Sequence, residues 1–181
     1  MENNDFQRLG YQVVKGIIDP ANYLRYLMLL MKQNEGKELH DRTKAIHFPK
    51  AFMFEKLLVA LQPAIESYCG YELRPTYSLA RVYQIGSMLR KHIDQEACEV
   101  TISLCLGNEK EGWPLWFMDR EKTTHSVILE PGDGFLLMGQ ELRHWREINT
   151  IGNVYQVFLH YVGKNSKYIE PPLNPHCVLP R

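Results

Sequence analysis

The sequence predicts a mainly β domain of the α+β class, an antiparallel sandwich or barrel with helices packed on one face. Three observations carry that reading. From Pro75 to Val162 the chain is made of short runs rich in Val, Ile, Tyr, Phe and Leu, punctuated by Gly, Pro, Asn and Asp. Before Pro75, apolar residues recur instead at intervals of three and four, the helical period. The length, 181 residues, suits a single domain that buries roughly 70 per cent of its unfolded surface without staples.

A short first strand is expected over Tyr11–Ile17. The first helix follows, with Asp19 as N-cap and Pro20 at the first helical position, where its missing N–H has no partner to lose. Tyr23, Leu24, Leu27, Leu30 and Met31 form its apolar stripe, and Gly36 supplies a stop. The polar stretch Lys37–Pro49 reads as a loop. A second helix spans Ala51–Tyr68, with Met53, Phe54, Leu57, Leu58, Leu61 and Ile65 on one face and Gly70 after it. Eight strands are then placed at Tyr77–Gln84, Met88–Ile93, Glu99–Leu106, Leu115–Asp119, His125–Leu129, Gly134–Met138, Arg143–Glu147 and Val154–Val162. The segment 163–181 holds four prolines and reads as an extended arm. Residues 1–181 are therefore expected to be one domain, with helical support over about 19–70 and a β core over about 75–162.

Composition narrows the function classes. Lys plus Arg and Asp plus Glu both total 21, so there is no bulk basic footprint for nucleic acid or an anionic membrane. The start MENNDFQRLG lacks the basic and apolar regions of a signal peptide, and no window is long and apolar enough to span a bilayer, which gives the expectation of a cytoplasmic chain. Cys69, Cys98, Cys105 and Cys177 fit neither a zinc knuckle nor a disulfide framework, so reduced structural thiols are expected.

The chemistry concentrates in RVYQIGSMLRKHIDQEACE. His92 and Asp94 are separated by one residue, so on a strand both side chains point to the same face. Fifty residues after Asp94, beyond the PGDG turn at Pro131–Gly134, comes His144 in ELRHWRE. Two histidines and one carboxylate make the facial triad of non-haem iron(II) oxygenases, which leaves three positions of an octahedron open. HxD alone is a common chance pattern. The combination of HxD, a PGD turn and a distal histidine within an eight-strand pattern is what carries the reading.

Residues from about Tyr77 to Val162 resemble the iron(II)- and 2-oxoglutarate-dependent dioxygenases, and look closest to small bacterial and phage members with prolyl-hydroxylase-like cores. RVYQIGSMLRKHID is similar to their arginine-x-tyrosine-x-x-glycine element followed by HxD. ACEVTISLCLG, WPLWF, LEPGDGFLLMGQELRHWRE and QVFLHYV resemble the later strands in order. The resemblance implies a double-stranded β-helix (jelly roll) with His92, Asp94 and His144 as iron ligands. It also implies oxidative decarboxylation of 2-oxoglutarate to succinate, coupled to hydroxylation or another oxidation of an unactivated C–H bond, with ascorbate as a possible stimulatory reductant. Tyr83 matches the tyrosine that hydrogen-bonds the cosubstrate in such relatives. A core aromatic is the competing reading.

Two departures stand out. The cation that relatives carry nine to twelve residues after the distal histidine, where it anchors the far carboxylate of 2-oxoglutarate, is replaced here by GNVYQ. Gln156 can hydrogen-bond there without neutralising. Arg146, on the same strand face as His144, and Arg81, on the Tyr83 strand, can do both. The second departure is Gln95, where relatives carry a basic residue, and it bears on substrate contacts. His160 falls on the face of Gln156 and Phe158, as an inward site residue or a core histidine. His40, His47, His125 and His176 have no partner at metal spacing. Trp113, Trp116 and Trp145 are candidates for a substrate entrance, though capping a barrel end is the commoner role. Cys98 and Glu99 read as packing residues.

The substrate stays open among a peptidyl proline, a free amino acid and another small metabolite, and so does the oligomeric state. The competing class is a cupin-like metal-binding or sensor protein without turnover, suggested by the glycine of GSMLRKH six residues before His92. Cupins, however, usually supply further histidine and glutamate ligands. An iron halogenase is disfavoured by Asp94, which fills the position a halide needs.

Overall fold

The computed structural model describes residues 5–34, 39–40 and 42–168. Its elements in chain order are α1 (Asp5–Leu9), β1 (Tyr11–Val14), α2 (Ala21–Gln33), β2 (Ala45–Pro49), α3 (Phe52–Cys69), β3 (Leu73–Tyr83), β4 (Leu89–His92), β5 (Val100–Asn108), β6 (Leu115–Met118), β7 (Thr124–Val127), β8 (Gly134–Met138), β9 (His144–Arg146) and β10 (Val154–Gly163). The strands form two antiparallel sheets. One has six strands in the order β1-β8-β5-β10-β3-β2, and the other has four in the order β4-β9-β6-β7. The strands β3 to β10 cross from one sheet to the other at every step except β6 to β7, a hairpin within the four-stranded sheet, which gives a jelly-roll arrangement.

Alternation along the long strands builds two interiors. On β10, Tyr155, Val157, Leu159 and Tyr161 face the helices, where they join Ala80 and Val82 of β3 and Phe54, Leu57, Leu58 and Ile65 of α3 in one buried cluster. Both helices pack on this sheet, as their apolar stripes foretold. Polar ties fix α3 in place: Glu55 accepts from the Ser78 backbone N–H (2.7 Å) and hydroxyl (2.6 Å), and the Tyr161 hydroxyl donates to the Leu58 carbonyl (2.7 Å). The second interior lies between the sheets, where Cys105, Leu115, Phe117, Leu129, Phe135, Leu137 and Leu142 are buried.

Several boundaries differ from expectation for identifiable reasons. The stretch expected to be loop contains β2, which pairs with β3 from Ala45↔Tyr83 to Pro49↔Leu79. Only Ala45 and Phe48 of it are fully buried, too few to stand out in a polar segment. The helix α1 precedes a first strand that ends at Val14 instead of Ile17. Asp19 accepts from the Ala21 N–H (3.1 Å), while Pro20 itself, with helical dihedrals, is the residue before the first helical one. The helix ends at Gln33, and Gly36 lies outside the described residues. α3 runs through Pro63, which falls on an exposed face of the helix, and stops at Gly70 in the left-handed conformation (φ 76°). β3 starts at Leu73 and so contains Pro75, opposite the register shift at His160/Tyr161 where a missing donor costs least. Of the expected arm, residues 169–181, with His176 and Cys177, lie outside the described residues. Cys69, Cys98 and Cys105 are buried free thiols.

Candidate metal centre

β4 and β9 pair with His92 directly opposite His144, so two imidazoles of different strands meet, with ring centroids 4.3 Å apart. Asp94 comes to them by another route than the sequence implied. β4 ends at His92, and Asp94 lies in the following loop, its N–H bonded to the Gly139 carbonyl (2.8 Å). That anchor, and not strand alternation, turns the carboxylate back: Asp94 Oδ1 is 3.4 Å from His92 Nε2 and 3.5 Å from His144 Nε2. One donor atom from each residue falls within 4.8 Å of the other two, the only such cluster among the described residues.

The protonation states of Asp94 and His144 suit a metal. Against burial, the Asp94 carboxylate and the Arg90 carbonyl hold the His92 pKa above its usual value. Burial works to raise the Asp94 pKa, yet His92, His144 and the Thr101 hydroxyl hold it below the usual carboxylate range. His144, 7 % exposed, is pushed down by burial and so offers a neutral lone pair. Each imidazole has its Nδ1 at a backbone carbonyl, Arg90 for His92 (2.8 Å) and Leu142 for His144 (3.0 Å), which leaves Nε2 as the free donor atom.

A second layer orients Asp94. Thr101 donates its one hydroxyl proton to Asp94 Oδ2 (2.8 Å), so it must accept from His160 Nδ1 (3.0 Å). This fixes the His160 tautomer with the proton on Nδ1. Burial lowers the His160 pKa to about 4, so the ring is neutral at pH 7. Gly139 closes the other side: a Cβ there would overlap Asp94 Oδ2 and the Cys98 carbonyl. Gly139→Ala is therefore expected to displace the carboxylate and cost about 2 kcal/mol of stability by overpacking, measurable as a lower urea midpoint together with weakened metal binding.

The three residues open onto a cavity of about 730 Å³, within the range typical of small-molecule sites. Its lining includes Arg81, Thr101, Ser103, Arg146, Phe158 and His160. Arg146 is 3 % exposed, lies against the Trp113 ring (4.8 Å) and donates to the Trp113 carbonyl; among the described residues no carboxylate pairs with it. Burial lowers its pKa to about 10, which leaves it charged at neutral pH. An unpaired charge at that depth is costly. Polar atoms without a protein partner cluster in the same interior: Ser103 Oγ, Gln156 Oε1 and Arg81 Nε.

Not every residue singled out in the sequence reaches the cavity. Tyr83 is fully buried behind it, its hydroxyl accepting from Arg81 (3.0 Å) and its ring edge-on to Trp113. Gln156, 1 % exposed, is likewise absent from the lining. Trp116 and Trp145 stack on each other away from the cavity, so none of the three tryptophans borders the entrance. Gln95 does line the cavity, where it donates to the Tyr77 hydroxyl (2.9 Å). Conversely, His40 and His47, which have no partner by sequence spacing, stack with centroids 4.3 Å apart around Thr43 and line the cavity. β2, the strand the polar composition concealed, carries His47 there, and the His40 N–H bonds to the Ala45 carbonyl at its start (2.9 Å). His125 pairs with Asp119 (2.7 Å), away from the cavity.

No protein-family model matches the chain, and no curated protein matches it in sequence. Solved structures do match. A prolyl-4-hydroxylase of Pseudomonas putida superposes with a TM-score of 0.71 at 15% identity, covering 89% of this chain and 96% of that one. The chain has a prolyl-hydroxylase-like oxygenase fold. A prolyl hydroxylase from Trichoplax adhaerens, in complex with a hypoxia inducible factor peptide fragment, gives 0.72 at 15% identity over 90% and 88% of the two chains. HygX from Streptomyces hygroscopicus, with nickel and 2-oxoglutarate bound, gives 0.69 at 15% identity over 88% and 85%. Among the described residues no helix is long and apolar enough to cross a membrane.

Proposed function

We propose that the protein is an iron(II)- and 2-oxoglutarate-dependent dioxygenase of hydroxylase type, formed by one domain and acting on a small molecule or peptide. The observation that carries this reading is the pairing of a two-histidine, one-carboxylate cluster with an uncompensated buried guanidinium, Arg146, in the same cavity. His92, Asp94 and His144 would hold the metal, which supplies oxidising chemistry when dioxygen and the keto acid are present. Asp94 leaves the centre net positive, suited to an anionic cosubstrate. Arg146 neutralises that cosubstrate's far carboxylate, replacing the cation missing from the start of β10, while Ser103 and Gln156 offer hydrogen-bonding capacity nearby. Arg81, held by the Tyr83 hydroxyl behind it, forms the adjoining wall. Similar solved structures that hold nickel or iron and 2-oxoglutarate support the cofactor assignment. A cupin-like, non-catalytic reading calls for a further glutamate ligand. Glu99, the first place to look, is turned away to the Gly163 N–H (2.7 Å).

The test is succinate release from 2-oxoglutarate with iron(II) and ascorbate, first without a second substrate and then across amino acids, peptides and small metabolites. Slow uncoupled release that one substrate accelerates is the expected result. No release under any condition, from protein that binds iron, would favour the non-catalytic barrel.

A further inference from the structure

The charge on the cavity wall is lopsided for a chain of zero net charge. Four guanidinium groups, Arg42, Arg81, Arg90 and Arg146, border it, and the only carboxylate among the described lining residues is Asp94. On the reading above, iron(II), Asp94, the dianionic cosubstrate and Arg146 together sum to zero. Arg42, Arg81 and Arg90 are left over, and among the described residues no carboxylate lies within ion-pair distance of any of them.

Arg81 is the best placed. It stands on β3 with His47 of β2 and Gln156 of β10 directly opposite on either side. Its guanidinium lies over the Phe158 ring (4.9 Å) and donates to the Tyr83 hydroxyl, while its Nε is buried with no partner. Stacking and one hydrogen bond thus hold the group in place with donor capacity unspent, the arrangement suited to a planar anion. Arg42 and Arg90 are exposed at the rim. Leu79, Leu89, Ile93 and Phe158 supply apolar wall around them.

We propose that the primary substrate is a small amphipathic anion, with a carboxylate or phosphate held by Arg81 and the rim arginines and an aliphatic body turned to the metal. The proposal rests on the oxygenase reading and deepens it by naming the substrate class. Its test uses the anaerobic iron(II)–2-oxoglutarate complex of the full chain, titrated separately with hexanoate, hexyl phosphate, hexanamide and hexylamine and followed by perturbation of the visible charge-transfer absorption. At least one of the two anions should act at about tenfold lower concentration than the amide or the amine, as expected for a charge-assisted contact. The order of hexanoate and hexyl phosphate then tells a carboxylate substrate from a phosphate one.

Arg81→Gln should abolish the preference, with Arg81→Lys restoring part of it. The exposed variants Arg42→Gln and Arg90→Gln, which carry little folding risk, should each weaken the preference. Equal response to all four probes, or to none, overturns the proposal. So does loss of 2-oxoglutarate binding in Arg81→Gln, which would make Arg81 the cosubstrate anchor. Absence of any charge-transfer absorption in the unaltered protein is a different failure, and it falls on the oxygenase reading itself.

Discussion

Anaerobic protein given iron(II) and 2-oxoglutarate is expected to show a weak visible charge-transfer absorption, and single replacement of His92, Asp94 or His144 by Ala is expected to abolish it. A facial triad leaves two adjacent positions for bidentate keto-acid binding and a third for dioxygen. Removing any one ligand breaks that arrangement. The geometry ranks the losses. Asp94 lies between both imidazoles, at 3.4 and 3.5 Å, and is itself held by Thr101 and by the backbone of Gly139. Asp94→Ala or Asp94→Gly therefore removes the only negative charge of the cluster and should weaken iron binding most, with turnover lost. His92 is the most exposed of the three, its side chain 37 % accessible against 9 % for His144, so His92→Ala should disturb the fold least. If all three variants kept the absorption and bound iron as tightly as the parent, the assignment of this cluster would be wrong. Retained turnover in Asp94→Gly alone would move the carboxylate ligand elsewhere.

Arg146→Met is expected to raise the half-saturating 2-oxoglutarate concentration by on the order of a hundredfold, since losing one partner of a buried charge pair costs about 3 kcal/mol or more. Iron affinity without cosubstrate should change little, because Arg146 is two residues beyond His144 and does not join the donor cluster. Methionine is a better test than alanine: it fills most of the space beside Trp113, so affinity is not confounded with a cavity. Stability separates a ligand-binding role from a structural one. In the free protein Arg146 is a buried cation without a carboxylate, satisfied only through the Trp113 carbonyl, so replacing it with an apolar side chain should leave Tm unlowered. A fall in Tm with unchanged 2-oxoglutarate dependence would make Arg146 a structural strut and return the anchor to Arg81.

Much of the architecture was legible in the chain because it is written in local periods. The stripes Leu27/Leu30/Met31 and Phe54/Leu57/Leu58/Ile65, and the alternation from Val154 to Val162, report which face of each element is apolar whatever it packs against. That His92, Asp94 and His144 converge was legible from the spacing of HxD and a histidine beyond the PGDG turn, although the strand alternation expected to aim Asp94 is not what places it. What local pattern cannot report is register and the path between elements. The pairing His92↔His144, the loop that turns Asp94 back through Gly139, and the Asp94–Thr101–His160 chain join residues 7 to 59 positions apart. The strand β2, with His47 on it and His40 before it, was hidden because its stability comes from pairing with β3 and not from its own composition. Tyr83 carried a motif's expectation, yet burial behind Arg81 and Trp113 puts it out of the cavity. In the sequence Arg146 stood only slightly ahead of Arg81 as the anchor, both being arginines on strands. Only the packing of two sheets made Arg146 a fully buried cation and left Arg81 partly buried on the cavity wall, because desolvation depends on everything that closes around a charge and not on its neighbours in sequence.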